Sequence, residues 1–117
     1  MPTFEILSRE PDIRLFNQDD TIFREGDAGN CMFAVVEGTV DIVLNGKVVE
    51  HVGAGSVFGE MALIDHQARS ATAVAATSCR LAAIDEKRFL RLVEITPRFA
   101  LQIMQVISQR LRTRAHA

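Results

Sequence analysis

The chain has 117 residues, 48% apolar and 24% charged, which suits one soluble domain spanning 1–117 and is too short for two. A net charge of −2 gives no electrostatic case for direct DNA binding, and no apolar run approaches the ~18 residues of a membrane span. Cys31 and Cys79 fit neither a CxxC spacing nor a disulfide framework, and the acidic, polar Met1–Glu10 does not read as a secretory leader, so a reducing, cytoplasmic setting with both thiols as small core residues is expected.

From Ile13 to about Ile84 the signals are those of short strands. Apolar and β-branched stretches recur at Thr21–Phe23, Cys31–Val36, Val40–Leu44, Lys47–Val52, Ala71–Ala75 and Leu81–Ile84. Turn residues separate them at Glu25–Asn30, Glu37-Gly38, Asn45-Gly46 and Gly53-Ala54-Gly55. Asn45-Gly46 predicts a tight hairpin, because both central positions of a type I′ turn need positive φ. Many short strands at this spacing predict an antiparallel barrel, sandwich or jelly roll over about 13–84.

After Asp85 the period changes to that of helices, covering about 85–115. Asp85 can cap a first helix through Phe89, Leu90, Leu92 and Val93, and Pro97 interrupts it. A second helix carries Ala100, Met104, Ile107 and Leu111 on one stripe, with Phe99, Ile103 and Val106 beside it, an apolar face wide enough for two contacts. Residues 1–86 hold 14 acids and 6 bases, whereas 87–117 hold Glu94 against 7 bases. Such a basic helix could meet an acidic partner or a phosphate; a solvated face with cations near its C-terminal dipole fits equally.

One stretch concentrates chemistry, from Gly53 to Thr72. Gly59 allows close backbone approach, and the turn that starts at Glu60 offers N–H groups to an anion. Arg69 supplies a planar, permanently charged fork suited to phosphate oxygens. Glu60 can only accept, which makes it a poor partner for a phosphate and a good one for a ribose hydroxyl. These demands describe an anion with a sugar hydroxyl beside it.

With Phe58-Gly59-Glu60-Met61-Ala62-Leu63 followed by Arg69-Ser70-Ala71-Thr72, the chain resembles the cyclic-nucleotide-binding domains of catabolite-activator-type regulators, cyclic-AMP-dependent kinase subunits and cyclic-nucleotide-gated channels. The Phe23–Asp27 turn and Val36-Glu37-Gly38 match the glycine-marked corners of that family. The resemblance covers roughly Ile13 to Arg114 and implies a jelly roll that carries a phosphate-binding cassette and is followed by two helices. It implies that Arg69, with the N–H groups of Ser70 and Ala71, holds the cyclic phosphate. Glu60 would accept from the ribose 2′-hydroxyl, and Gly59, Met61 and Ala62 would add backbone contacts. Ile42 and Val49 would pack against the base, and Arg110, Arg112 or Arg114 would close a lid. The ligand implied is cyclic AMP, with cyclic GMP as the alternative. Ala68 stands where many relatives have proline, Ser70 leaves base choice open, and Arg114 and Ala115 occupy the register of a base-contacting hydroxyl.

Other chemistries find less support. Gly53, Gly55 and Gly59 lack the βαβ surroundings of a dinucleotide fingerprint. His51, His66 and His116 are scattered, so no metal site is expected. No serine or cysteine has a base and orienting partner in view, so no catalysis is expected. The predicted role is a sensor whose C-terminal helix moves with ligand, read by a partner protein or effector domain or through homodimerisation on that helix. A ligand-free interaction module and the sensor half of a regulator or channel are the alternatives.

Overall fold

The computed structural model describes residues 7–115, without the side chains of Arg114 and Ala115. The lid expectation for Arg114, and the readings of Met1–Ile6 and His116, lie outside the described residues. Eight strands form: β1 (Ile13–Phe16), β2 (Thr21–Phe23), β3 (Cys31–Glu37), β4 (Thr39–Leu44), β5 (Lys47–Gly53), β6 (Val57–Phe58), β7 (Thr72–Ala75) and β8 (Cys79–Asp85). The helices are α1 (Glu60–Ile64), α2 (Glu86–Ile95) and α3 (Arg98–Ala115). The strands make two antiparallel four-stranded sheets, ordered β1-β8-β3-β6 and β2-β7-β4-β5. Of the expected alternatives, the two-sheet jelly roll is the one formed, without closure into a barrel. β1 and β6 add to the six stretches expected, β6 lying between the Gly53–Gly55 turn and Gly59.

Local chemistry sets the corners. Asn45 and Gly46 both have positive φ, 54° and 75°, and join β4 to β5 with Leu44 opposite Lys47. Gly38 carries the chain from one sheet to the other at φ 94°, and a Cβ there would lie 2.4 Å from the Ser78 carbonyl oxygen. Only glycine fits that crossing.

The first sheet is covered on both faces. Along β3, Cys31, Phe33 and Val35 point into the core between the sheets, while Met32 and Ala34 point out beneath the helices. On β8, Cys79, Leu81 and Ala83 face inward, and Ala82 and Ile84 face the helices. This two-sided burial explains why those strands read as continuous apolar runs. Cys31 and Cys79 are buried, unpaired thiols in the core between the sheets.

Asp85 caps α2 as expected, its Oδ1 accepting from the Arg88 N–H at 2.8 Å. The Arg88 guanidinium in turn donates two 2.7 Å bonds to the buried Glu10 carboxylate, which ties the N-terminal segment to α2. Those bonds hold Arg88 above the ordinary guanidinium pKa.

On α3 the wide apolar face divides between core and solvent. Phe99 and Ile103 are fully buried with Val106 and Ile107 packed beside them, whereas Met104 and Leu111 are 60% and 66% exposed. The stripes lie side by side on one wide face, and periodicity does not rank them. Packing on Met32, Ala34 and Ile84 does. Phe99→Ala should therefore cost about 3–5 kcal/mol in urea unfolding. Met104→Ala should stay within about 0.5 kcal/mol of the parent. The reverse ranking would exchange the two faces.

Candidate functional site

The end of β6 and the start of α1 sit over β3, where Phe58 pairs with Phe33. Gly59 turns the chain at φ 76° and precedes α1. The five residues of α1 bury Glu60, Ala62 and Leu63 and leave Met61 41% exposed. Across the cleft, the backbone of Arg69 is clasped by the β2–β3 loop. Its N–H donates to the Asp27 carbonyl, and its own carbonyl accepts from the Gly26 N–H, both at 2.8 Å.

The Arg69 side chain is only 6% exposed. Its guanidinium carbon stands 4.2 Å from the Phe23 ring centroid and 5.7 Å from that of Phe33. Nη1 donates to the Gly59 carbonyl at 3.0 Å, and Nη2 reaches the Cys31 sulfur at 3.8 Å. Nε is buried with no partner, and no carboxylate among the described residues pairs with the group. A buried cation without a counter-anion is costly, and aromatic stacking offsets only part of that cost. The slot is shaped for this one side chain. A Cβ on Gly29 would fall 2.4 Å from Arg69 Nε, and one on Gly59 would fall 2.6 Å from Nη1.

Glu60 faces the same cleft, with its side chain 7% exposed. Its Oε1 accepts from Arg110 Nη1 on α3 at 2.6 Å. Arg110 Nε reaches both oxygens of Glu50 on β5, at 3.0 and 2.9 Å, and Nη2 donates to the Val57 carbonyl. One arginine of the last helix thus joins the cassette to the second sheet.

The pocket gathers Ile42, Phe58, Gly59, Glu60, Met61, Ala62, Arg69, Ser70 and Ala71 from the expected set, and Arg110 from the expected lid. Phe58 belongs mainly to the core, stacked on Phe33 at 5.4 Å between centroids. Arg112 does not line the pocket and bonds Ser108 within its own helix. Val49 does not line it either and is 48% exposed. The reason is a β-bulge. Val43 pairs with Val48, but the next residue, Ile42, pairs with Glu50, so Val49 has no residue opposite. In a regular hairpin closed by Leu44 and Lys47, Val49 would stand opposite Ile42; the bulge puts Glu50 there.

Sequence reasoning missed Glu50 and the Gly29 contact, and it used Phe23 only as part of a turn. The Phe23–Gly29 loop next to the cassette could have suggested the stacking ring; no local signal marked Glu50.

Comparison with known proteins agrees with this fold. Residues 13–96 match the cyclic nucleotide-binding domain. A cAMP-dependent protein kinase regulatory subunit of Eremothecium gossypii is 42% identical over 80 residues, 68% of this chain and 18% of that protein. The cyclic AMP receptor protein of Thermus thermophilus is 35% identical over 104 residues, 85% of this chain and 48% of its own. The crystal structure of the Thermus thermophilus catabolite activator protein superposes with a TM-score of 0.81 at 32% identity, covering 96% of this chain and 59% of that one. The chain therefore spans half or less of the length of these two curated relatives. No helix among the described residues is long and apolar enough to cross a membrane.

Proposed function

The chain belongs to the cyclic nucleotide-binding domain family, and from that premise we propose that it is a sensor for a cyclic nucleotide, cyclic AMP in preference to cyclic GMP. The observation that carries the reading is Arg69, a nearly fully buried guanidinium that lines the cleft and has no counter-anion among the described residues. An anion delivered to that cleft neutralises the charge of the guanidinium that lines it. The cyclic phosphate meets Arg69 with the N–H groups of Ser70 and Ala71. The ribose 2′-hydroxyl donates to Glu60, while Gly59, Met61 and Ala62 shape the backbone around the sugar. The base lies along Ile42, with Val49 outside that wall.

Preference for cyclic AMP is supported by the apolar character of Ile42, against which guanine would strand more polar groups than adenine. Two of the relatives carry cyclic AMP in their names. Ser70 offers a hydroxyl that tolerates either base.

The output is mechanical. Arg110 ties α3 to the carboxylate that the ribose addresses, so occupancy of the cleft biases the position of α3. Pro97, between α2 and α3, is the natural hinge. A partner protein or effector domain then reads α3, and no step of bond making or breaking is involved.

Calorimetric titration tests the reading. Arg69→Ala should weaken cyclic AMP binding by about 2–5 kcal/mol, which is roughly thirty- to several-thousand-fold, while the protein stays folded. Gly29→Ala, which displaces the guanidinium without removing it, should fall between parent and Arg69→Ala. Unchanged affinity in Arg69→Ala would remove the phosphate assignment, and absence of binding by the parent would make the domain a ligand-free interaction module.

The base preference has its own measurement. Cyclic AMP should bind about five- to thirty-fold tighter than cyclic GMP, and Ser70→Thr should narrow the margin. Tighter binding of cyclic GMP to the parent would refute the base assignment and leave the phosphate assignment standing.

A further inference from the structure

Resting on that reading of the cleft, we infer that Glu50 is a positioning residue for ribose recognition, acting through Arg110 to set the Glu60 carboxylate in front of the 2′-hydroxyl. The β-bulge at Val49 is what brings Glu50 into play. Cross-strand partners share a face of the sheet, and Ile42, which faces Glu50, lines the cleft. Without the extra residue a valine would occupy that place, and Arg110 would meet an apolar wall.

Arg110 spreads its guanidinium over three acceptors from three elements. Nε takes both oxygens of Glu50 on β5, Nη1 takes Oε1 of Glu60 on α1, and Nη2 takes the Val57 carbonyl on β6. The guanidinium is planar and rigid, so fixing one edge fixes where the other edge points. Val57 contributes only backbone, and Glu60 is the group the sugar addresses. Glu50 is therefore the anchor that steers the fork without belonging to the ligand's own contacts. The Glu50 side chain is 29% exposed against 7% for Glu60 and 13% for Arg110, so it is the wet end of an otherwise buried chain of charges. Its loss leaves Arg110 free to swing, and with it the carboxylate that Arg110 holds.

Because Glu50 is also a negative charge near an anionic ligand, its removal shifts the affinity of every cyclic nucleotide together. The ratio of affinities for cyclic AMP and 2′-deoxy cyclic AMP cancels that common shift and reports only how well the hydroxyl is received. We would measure it by calorimetry for the parent, Glu50→Gln, Glu50→Asp, Arg110→Gln and the Glu50→Gln/Arg110→Gln pair, with thermal melting as the check of folding. The parent should prefer the ribose ligand by about tenfold or more. Glu50→Gln should lower that preference by about three- to tenfold, Glu50→Asp should restore part of it, and Glu50→Gln should add nothing in the Arg110→Gln background. An unchanged ratio in Glu50→Gln, or an equal loss with and without Arg110, overturns the role of Glu50 alone. A change confined to the cyclic AMP to cyclic GMP ratio also overturns it, since Glu50 would then address the base. A parent that binds neither ligand overturns the cyclic-nucleotide reading and this inference with it.

Discussion

The burial of the Arg69 guanidinium is the constraint around which the rest of the cleft is arranged. A cation taken almost wholly out of water must be compensated, and here the compensation is incomplete: one carbonyl, one sulfur and the faces of two phenylalanines. Everything within reach of the group is small or planar. Gly29 and Gly59 lack the Cβ atoms that would collide with it, and Phe23 stacks flat against it. The Asp27 and Gly26 backbone clasps its own peptide, so the arginine cannot retreat without unfastening the β2–β3 loop. The result is a pre-organised positive site, for which the proposed partner is the cyclic phosphate.

The scaffold keeps that site rigid on one side and adjustable on the other. β3 carries core residues on both faces, so the floor beneath the cassette is packed from above and below. The ring cluster of Phe23, Phe33 and Phe58 joins floor, clasp and cassette within about 6 Å between centroids. α3, by contrast, touches the cleft chiefly through one long side chain, Arg110. In the proposed function this single ion-paired arm, from Glu60 through Arg110 to a helix with an exposed apolar stripe, carries occupancy of the cleft to α3.

The candidate site was legible to the extent that it is local in sequence. Residues Phe58 to Ala71 form one continuous stretch, and Gly59, Glu60 and Arg69 within it have chemical demands that only a few arrangements meet. Ile42 lines the cleft and Val49 does not, because of the inserted residue between the Val48 and Glu50 pairings, which leaves no mark in composition or hydropathy. Which part of the α3 face is covered stayed open for a related reason: Met104 and Ile103 are equally apolar and adjacent on the helix, and only the sheet beneath decides.

By itself the sequence determined the order and kind of most elements, the Asn45-Gly46 hairpin, the Asp85 cap and the set of groups able to receive an anion and a sugar hydroxyl. These follow from short-range physics: turn dihedrals, side-chain periodicity and the donor or acceptor character of neighbouring residues. Only the tertiary structure decided that the sheets stay open rather than close into a barrel, that Arg69 has no counter-anion among the described residues, and that Glu50 replaces Val49 opposite Ile42. Those outcomes depend on register and on contacts between residues tens of positions apart, such as Arg110 with Glu50 and Glu60. A one-residue change in register reverses which side chains share a face, and nothing local in the chain announces it.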